Sequence, residues 1–122
     1  MQINFEPGDA RYLITGYDSG SVKVNGETYE YNLVVTPEKL LPELLPADIG
    51  ELAERHIRAV CETNAEVVLL GTGDAQVFPE ARLLAVAGDY GLQIDVMTTA
   101  AACRTYAVLI SEGRRVTAAL FV

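Results

Sequence analysis

A chain of 122 residues has room for one domain, and a domain of that size buries roughly two thirds of the surface its unfolded form exposes, enough for a core without metal or disulfide staples. Half of the residues are hydrophobic and 21% are charged, the balance of an ordered globular chain and not of a disordered one. Seventeen acidic against nine basic side chains give a formal charge of −8, which repels phosphate backbones and anionic headgroups and speaks against nucleic acid as a partner.

No apolar run approaches the roughly 18 to 20 residues of a membrane-spanning helix. The start Met1-Gln2-Ile3-Asn4-Phe5-Glu6 has neither the basic nor the apolar region of a signal peptide. The expectation is a cytoplasmic chain without membrane insertion. Its mean hydropathy is high for so small a soluble protein, and a homodimer would give such a chain further apolar surface to bury. Cys61 and Cys103 fall in predicted helices without CxxC spacing, so neither a zinc site nor a disulfide framework is indicated.

Residues 1–36 are punctuated as β structure. Strands are predicted over Arg11 to Gly16, Ser21 to Val24 and Glu27 to Val35, separated by Asp18-Ser19-Gly20 and Asn25-Gly26. Asn-Gly between strands signals a hairpin, because both residues tolerate the positive φ of a type I′ turn. Two-residue closure pairs Val24 with Glu27 and Val22 with Tyr29, and places Tyr29, Tyr31 and Leu33 on one buried face. In the connector 37–49, three prolines interrupt four leucines and forbid a long helix. Its leucines are read as capping the open end of the core in preference to forming a docking loop.

From Asp48 the period becomes helical. Asp48 or Gly50 can cap, and Leu52, Ala53, Ile57, Val60 and Cys61 make the apolar stripe. Glu51 with Arg55 and Glu54 with Arg58 are i,i+4 pairs on the outer face. His56, the only histidine, has no metal-ligand spacing to any partner and is read as structural. A strand follows over Glu66 to Leu70, a short helix over Pro79 to Gly88 and a strand over Leu92 to Met97. A third helix, capped by Thr98 or Thr99, runs to about Glu112 and stops at Gly113. Val116 to Val122 closes the fold. The order predicts a single three-layer α/β domain over residues 1–122 with a central mixed sheet, N-terminal β-hairpins and parallel, right-handed crossovers in the α/β part 50–122.

The turns after consecutive strands are where such folds place ligand crevices. Gly71-Thr72-Gly73 resembles the start of a dinucleotide-binding loop, and Asp95 sits about where a ribose-binding acid would. However, Gln76 occupies the third glycine position, and Pro79 starts the helix too late to aim its N-terminus at a pyrophosphate. The preferred reading gives both glycines to a sharp turn and close packing. Cys103 lies in the first or second turn of the third helix beside Arg104, a setting that favours a thiolate, although Ala100 to Cys103 reads equally as a small-residue packing face. The candidate crevice comprises Gly71, Thr72, Gly73, Asp74, Thr98, Thr99, Cys103 and Arg104. Arg114 and Arg115 complement the helix C-terminus. No catalytic or metal-binding set is complete, and no cofactor is implied.

Leu70-Gly71-Thr72-Gly73, Met97-Thr98-Thr99-Ala100-Ala101-Ala102-Cys103-Arg104-Thr105-Tyr106 and Glu112-Gly113-Arg114-Arg115-Val116 together resemble a domain-of-unknown-function family. That family includes a mitochondrial complex I assembly factor and an adipogenesis-associated protein. The resemblance is specific from Glu66 to Leu120 and looser before it. It implies a compact three-layer α/β domain and no established enzyme activity. The family often has aspartate in place of Thr98, asparagine in place of Ala107, and a tryptophan in the connector, so two polar groups of the crevice are missing here. With no arginine- and serine-rich presequence, a bacterial-type, unextended version is expected. Three functions follow in order of preference. The first is a non-enzymatic protein-binding domain acting in membrane-complex biogenesis. The second is a small-molecule-binding protein or enzyme using the crevice, and the third a thiol redox protein using Cys103.

Overall fold

The computed structural model describes residues 10–122. Met1 to Glu6, on which the expectation of a leaderless chain rests, lie outside the described residues. The hairpin signals come out in register. Strands β1 (Ile14–Asp18), β2 (Ser21–Val24) and β3 (Glu27–Tyr29) form an antiparallel sheet, with Val24 opposite Glu27 and Val22 opposite Tyr29. Asn25 and Gly26 carry φ values of 52° and 82°, as a type I′ turn requires.

The strand predicted over Glu27 to Val35 is in fact two. After β3 the chain leaves the first sheet, and β4 (Leu33–Val35) enters a second one. Asn32 fixes the change. Its side-chain amide donates to the carbonyls of Pro46 and Ala47 at 2.9 and 3.0 Å, and its side-chain oxygen accepts from the Val122 N–H at 2.8 Å. Tyr31 consequently turns outward, 50% exposed, while Leu33 is fully buried. The single buried face expected of Tyr29, Tyr31 and Leu33 is therefore broken at its middle residue.

The second sheet adds β5 (Leu40–Leu41), β6 (Val67–Thr72), β7 (Ile94–Met97) and β8 (Val116–Phe121), in the order β5-β4-β8-β6-β7. Strands β7, β6 and β8 are parallel, whereas β4 is antiparallel to β8 and β5 to β4. This is the mixed sheet that the sequence predicts. Both faces are covered, so its central strands are apolar at most positions, with Thr72 and Thr117 as buried polar exceptions, and their alternation sorts residues between two cores. Leu33, Val35, Leu69, Val116, Ala118 and Leu120 meet Ala102, Cys103, Tyr106 and Ile110 of helix α3 (Thr99–Ser111), together with Ile14, Val22 and Val24 of the small sheet. Val34, Val68, Leu70, Ala119 and Phe121 meet Leu52 and the Ile57, Val60 and Cys61 side chains of helix α1 (Glu54–Cys61). Leu41, Leu44 and Leu45 of the connector pack on this second core and Leu40 on the first, the capping arrangement expected of them.

Two helix boundaries differ from expectation. Asp48 caps only a 3-10 turn, Ile49–Glu51, by accepting from the Gly50 N–H at 2.8 Å, and α1 begins at Glu54. Glu51 is thus outside the helix, and its predicted pairing with Arg55 is absent among the described residues. Glu54 and Arg58 do pair, at 2.9 Å, and Arg58 also reaches Asp89 at 3.0 Å. The helix predicted over Pro79 to Gly88 is a single turn, α2 (Ala81–Leu84), continued by a 3-10 segment, Ala85–Tyr90. Gly91, with φ of 69°, ends it in the left-handed region.

His56 has a structural role. It is buried, and its Nδ1 accepts from the Ala53 N–H at 2.8 Å, satisfying a donor that the first turn of α1 leaves without a partner. Only the neutral ring can do this. Burial, and then the neighbouring Arg55, lower its pKa, against a smaller opposing effect of Glu51. The unfolded chain therefore takes up a proton that the folded chain refuses, so stability falls as pH drops through about 6.5, the unperturbed value. Urea unfolding between pH 7.5 and 5.5 should lose stability in the native sequence. His56→Gln, which keeps an acceptor but does not titrate, should flatten that slope; an unchanged slope would remove His56 as its source.

Candidate functional site

The chain leaves β6 toward α2, on the face carrying α1, and leaves β7 into α3, on the opposite face. Adjacent parallel strands whose connections depart to opposite faces define a topological switch point, the usual ligand crevice of an open α/β sheet. The loops that the sequence singled out do meet there. They fill it.

Gly71 lies within β6 and not in a turn, which corrects the sequence reading. Its side-chain position faces α3. A Cβ there would lie 2.9 Å from the Cα and Oγ1 of Thr99 and 3.2 Å from the Ala102 Cβ, so only glycine lets the helix approach so closely. Gly73, with φ of 95°, makes the turn itself. Thr99, fully buried, donates from Oγ1 to the Phe121 carbonyl at 2.6 Å and accepts from the Gly73 N–H at 2.7 Å, while its own N–H donates to the Gly73 carbonyl at 3.0 Å. One residue thereby ties the start of α3 to the ends of β6 and β8. Thr98 is the cap, accepting from the Ala101 N–H at 3.2 Å.

Thr72 and Asp74 are committed in the same way. Thr72 Oγ1 donates to the Ala75 carbonyl at 2.7 Å, with the Met97 carbonyl at 3.3 Å, and accepts from the Val77 N–H at 3.0 Å. Gln76 donates to the Val96 carbonyl on β7 at 3.0 Å, a contact invisible in the sequence. Asp74 accepts from the Tyr17 and Ser19 hydroxyls, both at 2.5 Å, and so clasps the β1–β2 hairpin to the switch-point loop. The Ser19 and then the Tyr17 hydrogen bond hold its carboxyl below the usual range, whereas burial and then Asp74 push the Tyr17 phenol up to about 12.

Cys103 and Arg104 stand apart from these residues. They border a groove of about 280 Å³ between β1 and α3, whose walls include Ile14, Gly16, Tyr17, Ala100 and Ala107. Cys103 lies in the second turn of α3 with its side chain in the core. Burial pushes its thiol up to about 11, outweighing Arg104, so the thiolate needed for redox or nucleophilic work is disfavoured at neutral pH. Arg114 and Arg115 connect the starts of β6 and β8. Arg114 pairs with Glu66 at 3.1 Å, and Arg115 donates from Nε to the Asn64 carbonyl at 3.2 Å.

Sequence reasoning missed a second cavity, of about 230 Å³, at the opposite end of the sheet, where Thr36 and Lys39 meet Asn64, Arg115 and Thr117. Its residues come from three separate segments, and only Arg115 carried a signal, as a cation beyond the last turn of the third helix. Among the described residues no group of His, Cys, Asp and Glu could hold a metal ion, and no helix is long and apolar enough to cross a membrane.

A mixed five-stranded sheet with helices on both faces, a small antiparallel sheet beside α3 and a switch point closed by its own loops defines one class of α/β domain. The chain belongs to the protein family of unknown function DUF498/DUF598, whose pattern it matches over residues 14–121. A Xanthomonas campestris protein solved by NMR is 38% identical, with a TM-score of 0.83 over 100% of this chain and 92% of that one. The human NADH dehydrogenase [ubiquinone] 1 alpha subcomplex assembly factor 3 is 31% identical over 121 residues, 94% of this chain but 62% of that protein. The "13 kDa major membrane protein" of Francisella tularensis is 27% identical over 95% of both chains. The predicted kinship with a complex I assembly factor therefore holds, while that with the adipogenesis-associated protein rests on the sequence motifs alone.

Because backbone and not a flexible side-chain end blocks the space, Gly71→Ala should force α3 away from β6 and cost about 1 to 3 kcal/mol. Chemical denaturation measures this, and a loss below about 0.5 kcal/mol, the range of ordinary surface substitutions, would contradict the close-approach argument.

Proposed function

We propose that this chain is a non-enzymatic, protein-binding domain of assembly-factor type, acting as a single domain from the cytoplasmic side in the biogenesis of a membrane complex. The observation that carries this reading is the internal commitment of the switch point. Thr72, Asp74, Thr98 and Thr99 all spend their hydrogen bonds on the chain's own backbone and side chains. The surface, by contrast, offers large apolar groups. Phe78 is 67% and Val77 44% exposed in the loop between β6 and α2, beside a depression of about 180 Å³ lined by Ile49, Leu52 and Leu83. Exposed apolar groups next to a hydrophobic depression are the usual anchors of a protein interface. Similarity to a protein named as an assembly factor points the same way, although likeness of fold does not fix function.

The second reading, a small-molecule site, draws on the groove beside Cys103 and Arg104. The third, thiol redox chemistry, has the buried Cys103 thiol against it. A homodimer would use the same apolar loop, so the mass in solution is measured alongside.

Affinity purification from the native cell, with mass spectrometry of proteins and small molecules, tests the first reading. Native bait should retain a specific protein partner that Phe78→Asp loses, with the melting temperature of the bait unchanged. Recovery of a small molecule without any protein partner would overturn it, and so would full partner retention by Phe78→Asp together with loss on Arg104→Ala.

A further inference from the structure

We infer that the cavity at the N-terminal end of the parallel strands binds a small polar monocarboxylate. The argument starts from the arginines. Among the described residues Arg58 reaches Glu54, Asp89 and the Tyr90 hydroxyl, Arg82 pairs with Glu80, and Arg114 with Glu66. Arg115 differs. It is half-buried, its only side-chain bond among them is from Nε to the Asn64 carbonyl at 3.2 Å, and it lines the cavity. Glu66 cannot serve it, because that carboxylate already accepts from Arg114 Nε at 3.1 Å and from the Arg115 backbone N–H at 3.0 Å. The two terminal nitrogens of Arg115 thus form a planar donor fork without a protein acceptor among the described residues, the geometry that takes a carboxylate or phosphate through two parallel bonds.

The surroundings select between those anions. Lys39 supplies a second cation from the β4–β5 turn and Asn64 an exposed amide. Against them stand the carboxylates of Glu38 and Glu62 in the same lining, and the C-terminal end of α1, whose carbonyls carry partial negative charge. With two cations set against two carboxylates the lining is close to neutral, so the Arg115 fork can hold one carboxylate while nothing offsets a second negative charge. This balance favours a monocarboxylate over phosphate, with hydroxyl or ammonium substituents that the polar walls can hydrogen-bond. The floor is built to hold polar groups. Buried Thr117 exchanges a 2.6 Å hydrogen bond with Thr63, and because Thr63 donates to the Val60 carbonyl at 2.7 Å, the Thr117 hydroxyl donates and keeps its own lone pairs. At about 230 Å³ and open to solvent on one side, the space has room for a metabolite of a few carbons.

Lactate, glycine, acetate and inorganic phosphate, titrated at matched ionic strength and followed by amide nitrogen–proton NMR, test the inference. Lactate or glycine should give saturable shifts confined to Thr36 to Lys39, Thr63 to Ala65 and Arg115 to Thr117. Acetate should bind more weakly and phosphate not saturably. Arg115→Gln, which retains the backbone bond to Glu66, should weaken binding by roughly tenfold or more, the value of a charge-assisted hydrogen bond. Lys39→Gln, at an exposed turn, should weaken it less, and Arg104→Gln not at all. Saturable phosphate binding at the same amides, shifts unaltered by both Arg115→Gln and Lys39→Gln, or no saturable shift with any carboxylate would overturn it.

Discussion

The contact between Gly71 and Thr99 is the constraint on which the rest of this fold depends. A glycine within β6 lets the first turn of α3 come so near that the Thr99 hydroxyl bridges the Gly73 N–H and the Phe121 carbonyl. These are the ends of two adjacent parallel strands, so one hydroxyl fixes the height of the helix over the sheet. That height sets where Ala102, Cys103, Tyr106 and Ile110 reach the core. Tyr106, fully buried, then carries the same placement across to the small sheet through its hydroxyl, which donates to the Tyr12 carbonyl at 2.7 Å. A larger residue at 71 would displace the helix, the bridge and the docking of the hairpin together, since close-packed interiors transmit strain instead of absorbing it.

Features that depend on local chemistry were legible in the sequence, and those that depend on distant partners were not. Asn25-Gly26 announces its turn and register because positive φ at two successive residues is a local demand. The strand and helix order of residues 66–122 follows from period and caps, and Thr98 is a cap in sequence and structure alike. The split of the strand after Tyr29 was not legible, because Asn32 draws its partners from Pro46, Ala47 and Val122. Asp48 caps as its residue type predicts, yet only a 3-10 turn follows. A separate helix then starts at Glu54, its first turn capped from within by His56, a competition between two adjacent N-termini that periodicity cannot resolve. At the candidate site the structure brings Gly71 to Asp74 together with Thr98 and Thr99 but leaves Cys103 and Arg104 apart beside β1, and the saturation of the first group was hidden. Asp74 is bound by hydroxyls more than fifty positions away, and nothing near it in the chain signals that.

Saturation also separates fold from function here. A switch point left open exposes backbone N–H groups and strand ends that a ligand can satisfy. In this chain Thr72, Gly73, Gln76 and Thr99 satisfy them internally. The Asp74 clasp adds the hairpin as a cover. Each group removed from ligand chemistry increases local rigidity, which suits a surface that must present fixed features to a partner. Gln76 has a second effect, because its bond to the Val96 carbonyl occupies an acceptor on the edge strand β7, and the exposed Asp95 places a charge there. Both blunt the edge against strand addition by another chain.

Under the proposed protein-binding reading, apolar contact through side chains is the way for this face to engage a partner. Phe78 and Val77 stand in the loop that the Thr72 and Gln76 bonds hold in place. The hydrogen bonds that close the crevice are thus the ones that present the apolar loop. Two aromatic and aliphatic anchors on a rigid loop lose less conformational entropy on binding than the same groups on a floppy one. Closing the ligand crevice and exposing Phe78 are in this sense one structural decision. The same sheet end cannot serve both purposes, because opening the crevice to a ligand would release the Val77 N–H and the Val96 carbonyl and let the loop move.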